Sequence, residues 1–442
     1  MQQRSLLLTI ALVVLAGSCG GSDSSAQEST SAPAEPSSTT APATSTTAPT
    51  TSTTVPPTDS TRAPTETGSP YSHNWSRVPD EEGALGGAGF QMMSGVTVGG
   101  PGLVAVGSDF SGGDVDAAVW TSADGITWSR VPHDEAVFGG DGDQEMVSVT
   151  TGGPGLVAVG WEGSLFDQDA AVWTSPDGIT WSRVAHDEAV FGGDGDQEMV
   201  SVTTGGPGLV AVGPDLSDLE AEVWTSPDGV TWSRLPADTA VFGGSHIQSM
   251  LSVTTGGPGL IAVGWEATWG EIDATAWTSD DGISWSRVAS LAAVFAGEGV
   301  QSMMSATAGG PGLVAVGLDS SAGDENAAIW TSPDGIGWSR VPDVEAVFGG
   351  LGNQGMASVT AGDTGVVAVG QDGWGGDFDA AVWTSPDGIT WARLPNDTAV
   401  FGGEGDQVMM SVTVGGPGIV AVGREVSDGT SVAAVWVATT QD

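Results

Sequence analysis

Seven tryptophans, Trp120, Trp173, Trp224, Trp277, Trp330, Trp383 and Trp436, stand in one sequence context, at spacings of 53, 51, 53, 53, 53 and 53 residues. A repeat this regular is a chain of supersecondary units, none of which buries its own apolar face, so each must pack against the next. Within one unit, Ser148-Val149-Thr150-Thr151 and Leu156-Val157-Ala158-Val159 flank the glycine-rich turn at Gly152 to Gly155, the pattern of a hairpin. A variable segment follows. Then Ala170-Ala171-Val172-Trp173-Thr174-Ser175 and Ile179-Thr180-Trp181-Ser182-Arg183-Val184 flank Pro176-Asp177-Gly178, a second hairpin.

Four strands in each of seven units, with this period, predict an all-β, seven-bladed β-propeller of four-stranded antiparallel blades. The last unit stops after Val435-Trp436-Val437 and lacks the Asp-Gly turn and the fourth strand. Asn74-Trp75-Ser76-Arg77-Val78 carries that missing pattern at the front of the chain, so it is expected to pair with the C-terminal strands and remove two open edges.

Residues 1 to 19 have the layout of a secretory leader: Arg4, an apolar run from Leu6 to Leu15, then Ala16-Gly17-Ser18-Cys19. The run is too short to span a bilayer. Cys19 is the only cysteine, so no disulfide forms within the chain. The segment resembles the lipobox of bacterial lipoproteins, whose cysteine is lipidated and becomes the new N-terminus. It has Ala16 where that motif prefers Leu, and simple cleavage with release is the alternative. Residues 20 to 70 are dominated by Ser, Thr, Pro and Ala and read as a disordered stalk, leaving 71 to 442 for the propeller. The expected location is the outer face of a cell membrane, or the medium.

The turn Ser175-Pro176-Asp177-Gly178-Ile179-Thr180-Trp181 recurs from Ser122, Ser226, Ser279, Ser332 and Ser385. These turns resemble the Asp-box, or BNR, repeats of sialidase-like propellers, although each is one residue shorter between Asp and Gly than Ser-x-Asp-x-Gly-x-Thr-Trp. The resemblance implies a structural role for Asp124, Asp177, Asp228, Asp281, Asp334 and Asp387, each accepting backbone N–H bonds in its turn. Sialidases of that family use three arginines, a tyrosine nucleophile paired with a glutamate, and an aspartic acid. Here seven of the ten arginines are the repeated fourth-strand residues, and the single tyrosine, Tyr71, precedes the first strand. Sialidase chemistry is therefore not expected, and no Ser/His/Asp order or Cys/His metal spacing appears.

With 55 acidic residues against 10 arginines and no lysine, the chain carries a formal charge of -45 and repels a phosphate backbone, which argues against nucleic acid. Every repeat places an acid after Val-Gly-x: Asp109, Glu162, Asp215, Glu266, Asp319, Asp372 and Glu425. This ring reads either as a solvated rim with turn caps or as a ligand or cation site. The connections Phe138 to Gln144 and Phe191 to Gln197 offer Asp141, Asp143, Asp194 and Asp196 as hard oxygen donors suited to Ca²⁺. Fourteen of the eighteen tryptophans hold two repeat positions. The other four, Trp161, Trp265, Trp269 and Trp374, fall with Phe110, Phe166 and Phe378 in the variable segments read as loops. Aromatic plates beside carboxylates suit a glycan or a protein surface. A non-catalytic, extracytoplasmic binding propeller is thus expected. Its alternatives are a carbohydrate-active enzyme drawing on these acids and a structural or adhesion module.

Overall fold

A computed structural model describes residues 74–439 except 81–82, 165–166, 194, 217–218, 245, 269–270, 290–291, 322, 375–376 and 428. The leader with Cys19, the stalk, Asp194, Phe166 and Trp269 lie outside the described residues, as does the side chain of Trp374.

The first repeat shows how the sequence builds a sheet. Phe90–Gly99, Gly102–Phe110, Asp116–Ser122 and Trp128–Arg130 pair antiparallel in chain order. The turn into the fourth strand is closed by side chains. Asp124 Oδ1 accepts from the N–H groups of Ile126 and Thr127 at 2.9 and 2.7 Å, Ser122 Oγ accepts from the Gly125 N–H, and Trp128 Nε1 donates to the Gly125 carbonyl. The same bonds recur at Asp177, Asp228, Asp281, Asp334 and Asp387. Backbone donors hold all six of these carboxyls below their ordinary range.

Five sheets have four strands each. A sixth, of eight strands, joins the first repeat to the last through one parallel pair, Phe90 with Ser431. In that sheet Asn74–Arg77 pairs antiparallel with Thr430–Thr439, in register from Asn74 opposite Thr439 to Arg77 opposite Trp436. The early strand therefore supplies the fourth place of the last repeat. The arrangement is all-β and consistent with a β-propeller.

Apolar clusters lie between successive sheets. Val104 and Val106 of the first repeat pack with Met146, Leu156 and Trp173 of the second, and Leu103 and Trp120 of the first pack with Val420 and Val435 of the last. Each repeat tryptophan is fully buried, and its indole N–H reaches a carbonyl in the preceding connection, as from Trp173 to Val137 at 2.7 Å. One such ring buries roughly 200 Å², on the order of 5 kcal/mol of gross transfer energy. The inner strands are stitched as well. The hydroxyls of Ser148, Ser201, Ser252, Ser305, Ser358 and Ser411 accept from Val202, Val253, Ala306, Val359, Val412 and Val96 of the neighbouring inner strand.

Candidate functional site

The variable segments are strands for much of their length, which corrects their reading as loops. Trp161 lies in Gly155–Ser164 opposite Glu145 and Ala170, and Trp265 lies in Gly259–Ala267 opposite Ser249 and Ala274. Trp374 ends the strand Gly365–Trp374, while Phe110 and Phe378 also belong to strands. The reason is register: pairing set by the glycine turn at one end of the hairpin runs on past the Val-Gly step to the far end. Trp265 is buried, Trp161 and Phe378 are half-buried, and Phe110 is exposed and leans on Phe90 with ring centres 6.3 Å apart.

The acid ring is an internal feature of the sheets. Each acid stands directly across from the glutamine that opens the inner strand, from Gln91 with Asp109 to Gln407 with Glu425. Gln91, Gln301 and Gln354 donate to their acids at 2.9, 3.1 and 2.9 Å. The fourth-strand arginines close the other side. Arg77, Arg130, Arg183, Arg287, Arg340 and Arg393 pair with Glu425, Asp109, Glu162, Glu266, Asp319 and Asp372. Five of these six arginines also lie over the repeat tryptophan of their sheet, as Arg340 does over Trp330 at 4.5 Å. In the third repeat, Arg234 lies 3.0 Å from Glu222.

Two of the aspartates read as calcium donors serve the backbone. Asp143 accepts from the Val115 N–H at 2.9 Å and Asp196 from the Gln168 N–H at 3.1 Å, tying each inner strand to the third strand of the repeat before. Asp141 is exposed. Among the described residues, the group whose ligand atoms lie within 4.8 Å of one another is Asp169, His186 and Glu188, which includes none of those aspartates.

A different pair of acids stands out, at the position after the opening glutamine. Other repeats hold Met92, Ser249, Ser302, Gly355 or Val408 there, whereas the second and third hold Glu145 and Glu198. A β-bulge follows at once, between Met146 and Ser148 in the second repeat, and bulges re-aim the side chains beside them. The bulge brings the Glu145 carbonyl so near Gly160 that a Cβ there would sit 1.9 Å from it. Only glycine fits, which accounts for Val-Gly in all seven repeats.

Glu145 and Glu198 are 8 % and 6 % exposed, and burial pushes both carboxyls up to about 7. The Ser94 hydroxyl donates to Glu145 at 3.1 Å, and the nearby charge of Arg424 also favours its ionised form. Glu198 is raised further by Glu145 and Asp196. Arg424 is buried in the strand Gly418–Ser427. First, second, third and last repeats therefore meet electrostatically around Glu145, with the half-buried Trp161 as its cross-strand neighbour. Near neutral pH these carboxyls present both a proton to donate and oxygens to accept. Aligning the repeats and asking which slot turns acidic would have found the pair.

No protein-family model matches the chain, and no curated protein matches it. Among solved structures, the chain is similar to Sqt1 from Chaetomium thermophilum, with 11% identity over 76% of this chain and 80% of that one and a TM-score of 0.42. It is similar to a protein from Lactobacillus plantarum, with 10% identity over 74% and 94% and a TM-score of 0.46. It is also similar to Trypanosoma rangeli sialidase in complex with sialic acid, with 13% identity over 82% and 56% and a TM-score of 0.40.

Proposed function

We propose that the chain is a seven-bladed propeller closed by its early strand, and that it binds a hydroxyl-rich ligand, a glycan, outside the cytoplasm. The closed ring is supported by the serine bonds between inner strands, including Ser411 to Val96 from last repeat to first. The binding reading rests on one observation: Glu145, a carboxyl that burial pushes up to about 7 and that acts electrostatically on Glu198, stands directly across the strand pair from Trp161. A partly protonated carboxyl pair both donates to and accepts from sugar hydroxyls, while an indole face stacks on sugar C–H groups. Display on a stalk anchored through Cys19 fits the leader and the composition of residues 20 to 70. Labelling with radioactive palmitate, lost in Cys19→Ser, checks the anchor.

A glycan array read with the wild type and Trp161→Ala tests binding. The variant is expected to lose at least tenfold in affinity, about 1.4 kcal/mol or more, and full retention overturns this reading. A second reading, glycoside hydrolysis, is favoured by the same raised carboxyls, because a general acid needs such a value. Chromogenic glycosides cleaved by the wild type but not by Glu145→Gln would establish it in place of simple binding.

A further inference from the structure

Ten Asp-Gly bonds occur in the chain, and those after Asp194 and Asp428 lie outside the described residues. Asp-Gly is the dipeptide at which a backbone most readily isomerises, because glycine has no side chain to keep its amide nitrogen from the preceding carboxyl. Seven of the eight described bonds hold that nitrogen in a hydrogen bond. In the six repeat turns the glycine N–H donates to a serine hydroxyl at 2.8 Å, as Gly178 does to Ser175. The turn carboxylate is held too, by the second and third N–H groups after it, as Asp177 is by Ile179 and Thr180. At the seventh bond, Gly373 donates to the Asn353 carbonyl at 2.7 Å and Asp372 pairs with Arg393.

Asp141–Gly142 has neither restraint. Gly139 stands where the turns have their serine. Of the two N–H groups that would hold the Asp141 carboxylate in the turn manner, that of Gln144 is committed to the Val115 carbonyl at 2.7 Å, and Asp143 enters the strand pair opposite Gly163. Both residues of the bond are exposed, and among the described residues no acceptor takes the Gly142 N–H.

We infer that Asp141 is a site of spontaneous conversion to isoaspartate, and that the serine clamp keeps the turn aspartates from the same reaction. The Gly142 nitrogen bonds to Asp141 Cγ, whose protonated carboxyl releases one oxygen as water, closing a succinimide ring. Water then adds to the former main-chain carbonyl of Asp141 and breaks its bond to the nitrogen. The chain afterwards runs through Cβ and Cγ, with a free carboxylate on Cα. One water leaves and one returns, so composition and redox state are unchanged. Because ring closure proceeds from the protonated carboxyl, the backbone donors that hold Asp177 below its ordinary range oppose it there a second time. At Asp141 the extra backbone atom enters just ahead of Asp143, whose carboxylate holds the Val115 N–H of the first repeat at 2.9 Å. Isomerisation therefore loosens a tie between the first and second repeats.

Trypsin cleaves after Arg130 and Arg183, so one peptide, 131–183, carries both Asp141 and Asp177. The full chain is held folded for weeks at mildly acidic pH and physiological temperature. The peptide is then read by electron-transfer fragmentation, which distinguishes isoaspartate from aspartate. Isoaspartate is expected to accumulate at Asp141 at least tenfold faster than at Asp177. In concentrated urea, where the clamp is lost, the two positions should react at similar rates. Ser175→Ala, which frees the Gly178 N–H, should speed the reaction at Asp177 severalfold. Equal rates in the folded wild type, or no isoaspartate at Asp141 under conditions where the urea sample forms it, overturns the proposal. So does a difference that persists in urea, since neighbouring residues and not the fold would then be its cause. The urea comparison needs no variant, so it decides the matter even where Ser175→Ala destabilises the fold. None of these outcomes bears on Trp161 and the glycan reading, so the two fail separately.

Discussion

Two sets of carboxyls in this chain respond to pH in opposite senses. The turn aspartates, such as Asp177, have folded values below the ordinary 3.8 because backbone N–H groups hold the ionised form. Their contribution is present above 3.8 and is lost as pH falls through the folded value. Glu145 and Glu198 have folded values of about 7 against an ordinary 4.5, so the folded state binds more protons between those limits. Stability from this pair is complete below 4.5 and declines as pH rises through about 7. The melting temperature is therefore expected to peak in mildly acidic solution. Replacing both by glutamine should remove the decline on the alkaline side, raising stability at pH 8 by on the order of 2–3 kcal/mol per site and leaving the acid limb unchanged. Thermal melts across pH check this, and a wild-type curve flat from pH 5 to about 8 would contradict it.

At the scale of elements, the early strand occupies the open edge of the C-terminal hairpin. Besides its four register pairs, Val78 donates to the Val435 carbonyl at 2.9 Å, and the Trp75 ring lies 6.2 Å from Phe401. Deleting residues 74–78 would expose the backbone of Thr430–Thr439 and uncover Phe401. An unpaired, largely apolar edge recruits another chain. The truncated protein is expected to melt about 5 °C or more lower and to self-associate with concentration in sedimentation velocity. A monomer of unchanged melting temperature would show that the strand is dispensable. Element lengths were the least legible part of the sequence. Strands such as Gly155–Ser164 run on into residues whose apolar–polar alternation is broken by Trp161 and Gly163, because cross-strand pairing, not local pattern, decides where a hairpin ends.

The whole chain has a formal charge of -45, and in its folded part six ring-acid pairs and one Arg234–Glu222 pair use up the fourth-strand arginines. The remaining acids repel one another. Raising salt from about 0.05 M to about 0.5 M shortens the screening length severalfold, so the melting temperature should rise. A fall would mean that the arginine pairs outweigh the repulsion. Nearest-neighbour packing between sheets, as between Val106 and Trp173, makes unfolding cooperative along the chain of repeats.

The sequence by itself determined the period, the two hairpins of each unit, the turn chemistry around Asp177 and the early strand's match to the missing fourth place. All of these depend on residues close in the chain or on exact recurrence, and both are visible in one dimension. It also separated the residues that build every repeat from those that depart from it. Only the tertiary structure decided what the departures meet. Six of the seven ring acids became partners of fourth-strand arginines, three of them of their glutamines as well, and Glu145 came under the influence of Ser94 and Arg424 from other repeats. Burial and partner geometry across sheets set charge state and access, and neither is written in the order of residues along one strand.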